Sequence, residues 1–382
     1  MTENDSSEDF KENVAIVIDS GSGCIKAGYS GDERPRAVLR SSVGVTRHEE
    51  TKTSGEDQAE YLFGSGIPSK DSADVIIKKP ITNGVVTDWE SLEKLWHHIL
   101  YKDLQACPKE HGVLVTDSPL SSVSSRAKIA ELLFEQFETP ALYISHKPVL
   151  CAYSYGLVSG LVVDSGSGST FVSPVCNGYC LPHATFQMDL AGRAVTSCLQ
   201  KLMTGAGFGS VAQHKFIVRE IKKQTCYVSP DFERELKSDK HGQLLDYQLP
   251  DGSTVTLGDE RFRCPEILFC PSIAGVSQPG IHITAMNSLQ MTAPEWHATL
   301  MANVVMSGGT TLLNGFPERL QAEMEKLAPR DSKIRVLSGD HREFASWLGG
   351  SILPCLSSFQ PMWVKRQDYF ENGSCIVQKK CY

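Results

Sequence analysis

The sequence predicts an α/β fold made of two duplicated halves around a cleft, and three observations carry that expectation. A strand-and-turn phrase, VIDSGSGCIK from Val17 to Lys26, returns as VVDSGSGSTF from Val162 to Phe171. Short β-branched runs alternate with longer amphipathic stretches, which is the pattern of layered strands and helices with partly parallel sheets. The chain has 382 residues and 41% hydrophobic composition, enough to bury substantial cores but long for one compact unit.

Along the chain, the acidic segment Met1 to Glu12 reads as a mobile tail. VAIVID, GVLVTDSP, ALYIS and GLVVD read as strands, while WESLEKLWHHILYKDL and SSRAKIAELLFEQFE read as helices. Between Arg47 and Gly66 the polar, turn-rich RHEETKTSGEDQAEYLFGSG reads as an exposed loop or small mobile lobe. From about Gly192 to Pro265 the pattern is mainly helical, broken by a hairpin at YQLPDGSTVTLG where Asp251 and Gly252 supply the turn. A net charge of -8 argues against nucleic acid or an acidic membrane as the dominant partner. No apolar run reaches the roughly 20 residues that insertion across a bilayer needs. The 12 cysteines are scattered, and the chain opens without a secretory signal, so they read as reduced thiols in a cytoplasmic or nuclear protein. Cys176 and Cys180 in CNGYC lack a second pair and a histidine at ligand spacing, so they are not assigned to zinc.

The repeated turn has a chemistry of its own. A strand ending in Asp-Ser-Gly-Ser-Gly delivers a carboxylate, two hydroxyls and a tight bend to one place. Backbone amides in such a bend converge on anionic oxygens, and the carboxylate can organise a hydrated divalent cation. One copy alone is a common connection; two copies, each after a strand, point to phosphate. Neither is a Walker loop or a G-x-G-x-x-G fingerprint. Lys26 reads either as an added positive charge for phosphates or as a solvated lysine. A third glycine turn, VVMSGGTTLLNG from Val304 to Gly315, reads either as a plain strand-to-helix connection or as the third wall of a nucleotide site in the cleft.

The longer phrases IDSGSGCIKAGYSGDERPRAV, WHHILY, LPHATFQMDLAGR, YQLPDGSTVTLGDERFRCPE, MSGGTTLLNGFPERL, WLGGSIL and the terminal IVQKKCY closely resemble actin, in order and nearly in spacing, over essentially the whole chain. The resemblance implies the four-subdomain fold shared by actin, Hsp70 and sugar kinases. It divides the chain into subdomain 1 (1–40, 80–154, 345–382), subdomain 2 (41–79, with the polar loop), subdomain 3 (155–190, 277–344) and subdomain 4 (191–276). Residue by residue, Asp19, Gly21, Ser22, Gly23 and Lys26 match the first phosphate loop of actin, and Asp164, Ser165, Gly166 and Gly168 match the second. Gly192, Arg193, Arg219 and Lys222, with Gly308, Gly309 and Thr310, match the surroundings of the nucleoside. The implied cofactor is ATP or ADP with Mg or Ca, the metal held by Asp19 and Asp164 through water.

The departures from actin fall on the chemistry. Ser167 stands where actin has a second aspartate, Lys147 where it has a glutamine near the attacking water, and Phe171 where a histidine helps arrange that water. Hydrolysis depends on polar groups that orient water against the terminal phosphate, and phenylalanine can neither donate nor accept a hydrogen bond. The resemblance therefore implies weak or lost ATPase activity, with Lys147 free to pair with the terminal phosphate. Lys223 and Glu343 reverse a glutamate and a lysine of actin, which either preserves a pairing or disables the pocket. EETKTSGED in the loop from Arg47 to Phe63 has no apolar residue to anchor a neighbouring subunit, Ile273 and Val276 are smaller than the usual apolar plug, and Asn83 replaces a modified histidine; all weaken self-polymerisation.

Three functions follow as competing expectations: a structural component of a cytoskeletal assembly that holds nucleotide, an active ATPase that polymerises, and a nuclear actin-related subunit of a chromatin complex. The first is favoured, with cytoskeletal partners including actin or an actin-related assembly, a cytoplasmic location and a likeness to actin-like proteins of male germ cells. At the tail, Cys375 and Cys381 read either as redox sensors or as exposed, unremarkable thiols, the second reading being preferred.

Overall fold

The structure is a computed structural model that describes residues 14–46, 60–68, 74–238 and 244–381. The tail Met1 to Glu12 and the EETKTSGED stretch lie outside the described residues, so the readings placed on them stand on sequence alone.

Two six-stranded sheets carry the molecule, and their wiring repeats. In the first, Ile16–Ser20 folds back antiparallel on Cys24–Tyr29 and runs parallel to Val113–Asp117, which runs parallel to Ala141–His146. In the second, Gly160–Ser165 folds back on Thr170–Cys176 and runs parallel to Val304–Ser307, which runs parallel to Val336–Leu337. The duplicated phrase is thus a duplicated topology. Each repeat places its acid at the end of a strand inside the sheet, where neighbours on both sides fix it.

The strands form because their runs are apolar and β-branched, and they are buried on both faces, as parallel sheets covered by helices require. Each sheet has its own core: Trp96, Phe134, Leu142 and Trp347 belong to the first, Leu199, Phe269, Phe316 and Leu320 to the second. A third, smaller cluster of Val149, Cys151, Ala152, Val162, Val305 and Ala345 joins them. Its centre is the helix Lys147–Ser154, which leaves the first sheet directly after His146 and packs on the helix Ala345–Ile352.

The two stretches read as continuous helices change winding part-way. Trp89–His98 and Val123–Glu131 are α-helical, and both widen into π-type turns at Ile99–Asp103 and Leu132–Gln136. In each the amide after the turn reaches back five residues, from Leu104 to Ile99 and from Phe137 to Leu132. The Asp251–Gly252 hairpin forms as expected between Leu245–Gln248 and Thr254–Leu257. Ile273 of the plug segment is exposed, while Val276 is tucked against the second core.

One expectation is corrected. Cys381 is not an exposed tail thiol: it is fully buried in the first core, and its Sγ accepts a hydrogen bond from the Ile144 amide at 3.3 Å. The tail is tied down by Arg126, whose guanidinium pairs with Asp117 at 2.8 Å and donates to the Cys381 carbonyl. Burial pushes the Cys381 thiol up to about 11, away from the thiolate that redox chemistry needs. Cys375 is exposed as expected.

Candidate functional site

The two acid-glycine turns face one another. Gly21 closes the first by donating its amide to the Cys24 carbonyl, and Gly166 closes the second onto Ser169. The turns approach so closely that a side chain on Gly23 would sit 2.8 Å from Ser167 Cβ, and one on Gly168 would sit 2.9 Å from Ser22 Oγ. Ser22 is held from both sides: its hydroxyl accepts from the Gly84 amide at 2.9 Å, and its carbonyl accepts from Arg193 at 2.9 Å. The Ile81–Thr82 and Val85–Val86 hairpin that brings Gly84 there turns through Asn83 and Gly84, both at positive φ, as a tight two-residue turn demands.

The third turn closes the back. Gly308, at φ +89°, passes so near Ser165 that a Cβ would overlap its carbonyl oxygen and come within 2.8 Å of Asp164 Oδ1. Thr310 donates to the Gly166 carbonyl at 2.6 Å, as does the Gly192 amide at 3.1 Å, and Lys222 donates to the Gly192 carbonyl at 2.8 Å. Three segments from both halves thereby converge on one cleft wall.

The charges lie beneath the turns. Asp19 is buried, and both its oxygens are taken: Oδ1 by Thr116 Oγ1 at 2.6 Å and Lys147 Nζ at 3.0 Å, Oδ2 by Ser346 Oγ at 2.9 Å and Lys26 Nζ at 3.7 Å. Burial alone would raise the Asp19 carboxyl; Lys147, then Lys26, outweigh it and hold the group well below the usual carboxylate range. Asp164, partly enclosed opposite, is pushed up by desolvation against the opposing pull of Lys147. Lys26 also donates to the Glu343 carbonyl.

Of the expected site residues, Asp19, Gly21, Ser22, Gly23, Lys26, Lys147, Asp164, Ser165, Gly166, Ser167, Gly168, Gly192, Arg193, Lys222, Gly308 and Thr310 come together here. Gly309 lies at the edge, facing the Glu343 carboxylate. Arg219 is turned toward the Phe216 ring, 5.7 Å from its centroid, and toward Glu220. Lys223 pairs with the same Glu220 at 3.6 Å, so the reversal of Lys223 and Glu343 is not resolved by a pairing between the two. Phe171 is buried opposite Asp164, with its ring edge against Gly84, 3.4 Å from where a Cβ would stand. Thr116 and Ser346 were missed by sequence reasoning. Thr116 carried a weak signal, a polar residue at the carboxyl end of a parallel strand, where ligands gather in such sheets; Ser346 carried none.

The family model described as Actin matches residues 10–382. This chain belongs to the actin family. It is 39% identical over 369 residues to "Actin-like protein 9" of Bos taurus, covering 96% of this chain and 88% of the relative. Actin-family membership accounts for the two duplicated sheets around a cleft, and proteins of the actin family generally bind a nucleotide with a divalent cation. The residues of this actin-family site suit the nucleotide: the glycine turns are packed too tightly to bear side chains, and Lys26, Lys147, Arg193 and Lys222 supply positive charge. They suit the divalent cation poorly, because Thr116, Lys147 and Ser346 already engage both oxygens of Asp19, one of the two carboxylates expected to hold it through water.

Lys222 gives a pH prediction. Burial pulls its ammonium down to about 8 from 10.5, so between those values the unfolded chain holds a proton that the folded chain has lost, and stability rises with pH. The expected difference between the wild type and Lys222→Met is on the order of 1 kcal/mol per pH unit across that window. Chemical denaturation at a series of pH values measures it; parallel curves for the two proteins would refute it.

Proposed function

We propose that this actin-family chain is a structural protein of a cytoskeletal assembly, which holds ATP or ADP between its two halves with little or no hydrolysis and polymerises poorly by itself. The observation that carries the reading is Phe171. Its ring fills the space between the second turn and the Asn83–Gly84 hairpin with carbon alone. A water placed against a terminal phosphate there meets no side-chain donor or acceptor from that position, so the orientation on which hydrolysis depends is lost. Ser167 removes a carboxylate from the same turn, and Lys147, occupied by Asp19 and the Ser20 carbonyl, cannot act as a base.

In this reading the nucleotide ties the halves together. Amides of both turns and the cations Lys26 and Lys147 receive the phosphates, while Gly192, Lys222, Gly308 and Thr310 border the nucleoside. The charged EETKTSGED stretch and a plug segment that exposes Ile273 alone of Ile273 and Val276 offer little apolar surface at these two filament contacts, which supports incorporation into an assembly with cytoskeletal partners over self-assembly. A cytoplasmic, cytoskeletal location and a role in male germ cells fit the likeness to actin-like proteins.

Denaturing the purified protein and chromatographing the released ligand, with phosphate release followed over hours, tests the proposal. Stoichiometric ATP with negligible release is expected; ADP with steady release overturns it. The triple variant Lys147→Gln, Ser167→Asp, Phe171→His is expected to raise the phosphate-release rate by about a hundredfold, the low side of what positioned polar groups contribute.

A further inference from the structure

We propose that the Lys147 ammonium occupies the seat of the divalent cation, so that this chain binds its nucleotide without a divalent metal. The inference rests on the nucleotide reading above and specifies what accompanies the nucleotide.

The geometry of Lys147 is that of a built-in cation. Its Nζ lies 3.0 Å from Asp19 Oδ1 and donates to the Ser20 carbonyl at 2.8 Å, two oxygens of the first turn. It stands beside Gly21, 3.9 Å from where a Cβ would be, at the mouth of the bend. An ammonium has three donors, and two are used here, which leaves one for a phosphate oxygen. The side chain is also firmly delivered. Lys147 opens the helix Lys147–Ser154 immediately after the buried strand Ala141–His146, and that helix is pinned between the two cores.

Charge balance points the same way. Asp19 already pairs with both ammonium groups, Lys147 at 3.0 Å and Lys26 at 3.7 Å, so its charge is met by the protein's own cations. With a neutral residue at position 147, Asp19 would keep only the more distant Lys26 as an ionic partner, and its carboxylate would be open to a cation. With Lys147 in place, a divalent ion has to displace the ammonium from Asp19 or sit beside it in a poorly solvated pocket, where like charges repel strongly. The hold on metal-bound water is weakened as well. Mg or Ca bound beside phosphates is held by carboxylates partly through its waters, and both Asp19 oxygens are already engaged by Thr116, Ser346 and the lysines.

Equilibrium dialysis of radiolabelled ATP against the full-length, nucleotide-stripped protein, in excess EDTA and in millimolar Mg, decides the matter. The expected result is a Kd in EDTA within about threefold of that in Mg. Tight binding in Mg that weakens by about tenfold or more in EDTA overturns the cation inference and leaves the nucleotide reading standing. Absence of binding in both buffers overturns the two together. Lys147→Gln, checked for folding by circular dichroism, is expected to acquire the dependence, with binding in EDTA at least about tenfold weaker than in Mg. A Lys147→Gln protein that binds equally in both buffers would also overturn the proposal. Because the wild-type comparison needs no substitution, the inference is tested even if the variant does not fold.

Discussion

Gly349→Ala is expected to destabilise the protein by about 3 kcal/mol or more and to cut its soluble yield sharply, because the helices Ala345–Ile352 and Lys147–Ser154 cross at this glycine. A Cβ at 349 would overlap the Leu150 carbonyl oxygen and stand 2.8 Å from Leu150 Cα. The obstruction is backbone, so no rotamer change relieves it and the helices must move apart. That separation would disturb the site as well, since Lys147 opens one helix and Ser346, the donor to Asp19 Oδ2, lies on the other. Gly205→Ala is the control: it sits at the end of the helix Gly192–Gly205 with nothing within 4 Å of the new methyl, and a neutral or slightly stabilising effect is expected. Urea unfolding of the two variants separates packing from helix propensity. A Gly349→Ala midpoint equal to that of the wild type would show that the crossing is not tight.

Arg319→Met is expected to cost about 4 kcal/mol, the penalty for leaving a buried charge without its partner. Arg319 grips Glu266 with two bonds of 3.0 and 3.2 Å, pairs with Glu323 at 2.8 Å, donates to the Ser229 carbonyl at 2.7 Å and lies over the Phe269 ring. Glu266 is almost fully enclosed; burial pushes its carboxyl up and Arg319 opposes that push. Removing the guanidinium strands the carboxylate in the second core. Two further measurements identify the cause. The deficit of Arg319→Met should shrink as pH falls and Glu266 takes up a proton, and the double variant Arg319→Met, Glu266→Leu should recover much of the loss, since an apolar pair of similar volume carries no buried charge. A deficit that is independent of pH would assign the effect to lost packing instead. A shift of about 5 °C in the melting midpoint is the corresponding thermal signal.

Much of the fold was legible in the sequence. The repeated Asp-Ser-Gly-Ser-Gly phrase, the β-branched runs and the Asp251–Gly252 turn are local patterns, and local patterns act through neighbours in the chain: alternation fills a strand, glycine permits a bend, and an acid at the strand end follows automatically. The resemblance carried the glycines of both turns and the third turn at Gly308 to their places. The readings that failed or stayed open concerned partners remote in sequence. Lys147 could be seen to differ from actin, but its hold on Asp19 and Ser20 required the two segments to meet across the first sheet. Thr116 and Ser346 reach the same carboxylate from two further segments. Lys223 pairs with Glu220, one helical turn away, and not with Glu343.

The sequence by itself therefore determined the two halves, their turns and the family to which the chain belongs. Only the tertiary structure decided what each charged group does. In a buried site the energy of an ion depends on every charge and dipole within a few ångströms, whichever part of the chain supplies it. Asp19 is ionised, enclosed and already paired because Thr116, Lys147 and Ser346 arrive there together. Cys381, next to the last residue given, is buried because Arg126 and Ile144 hold it from segments remote in the chain.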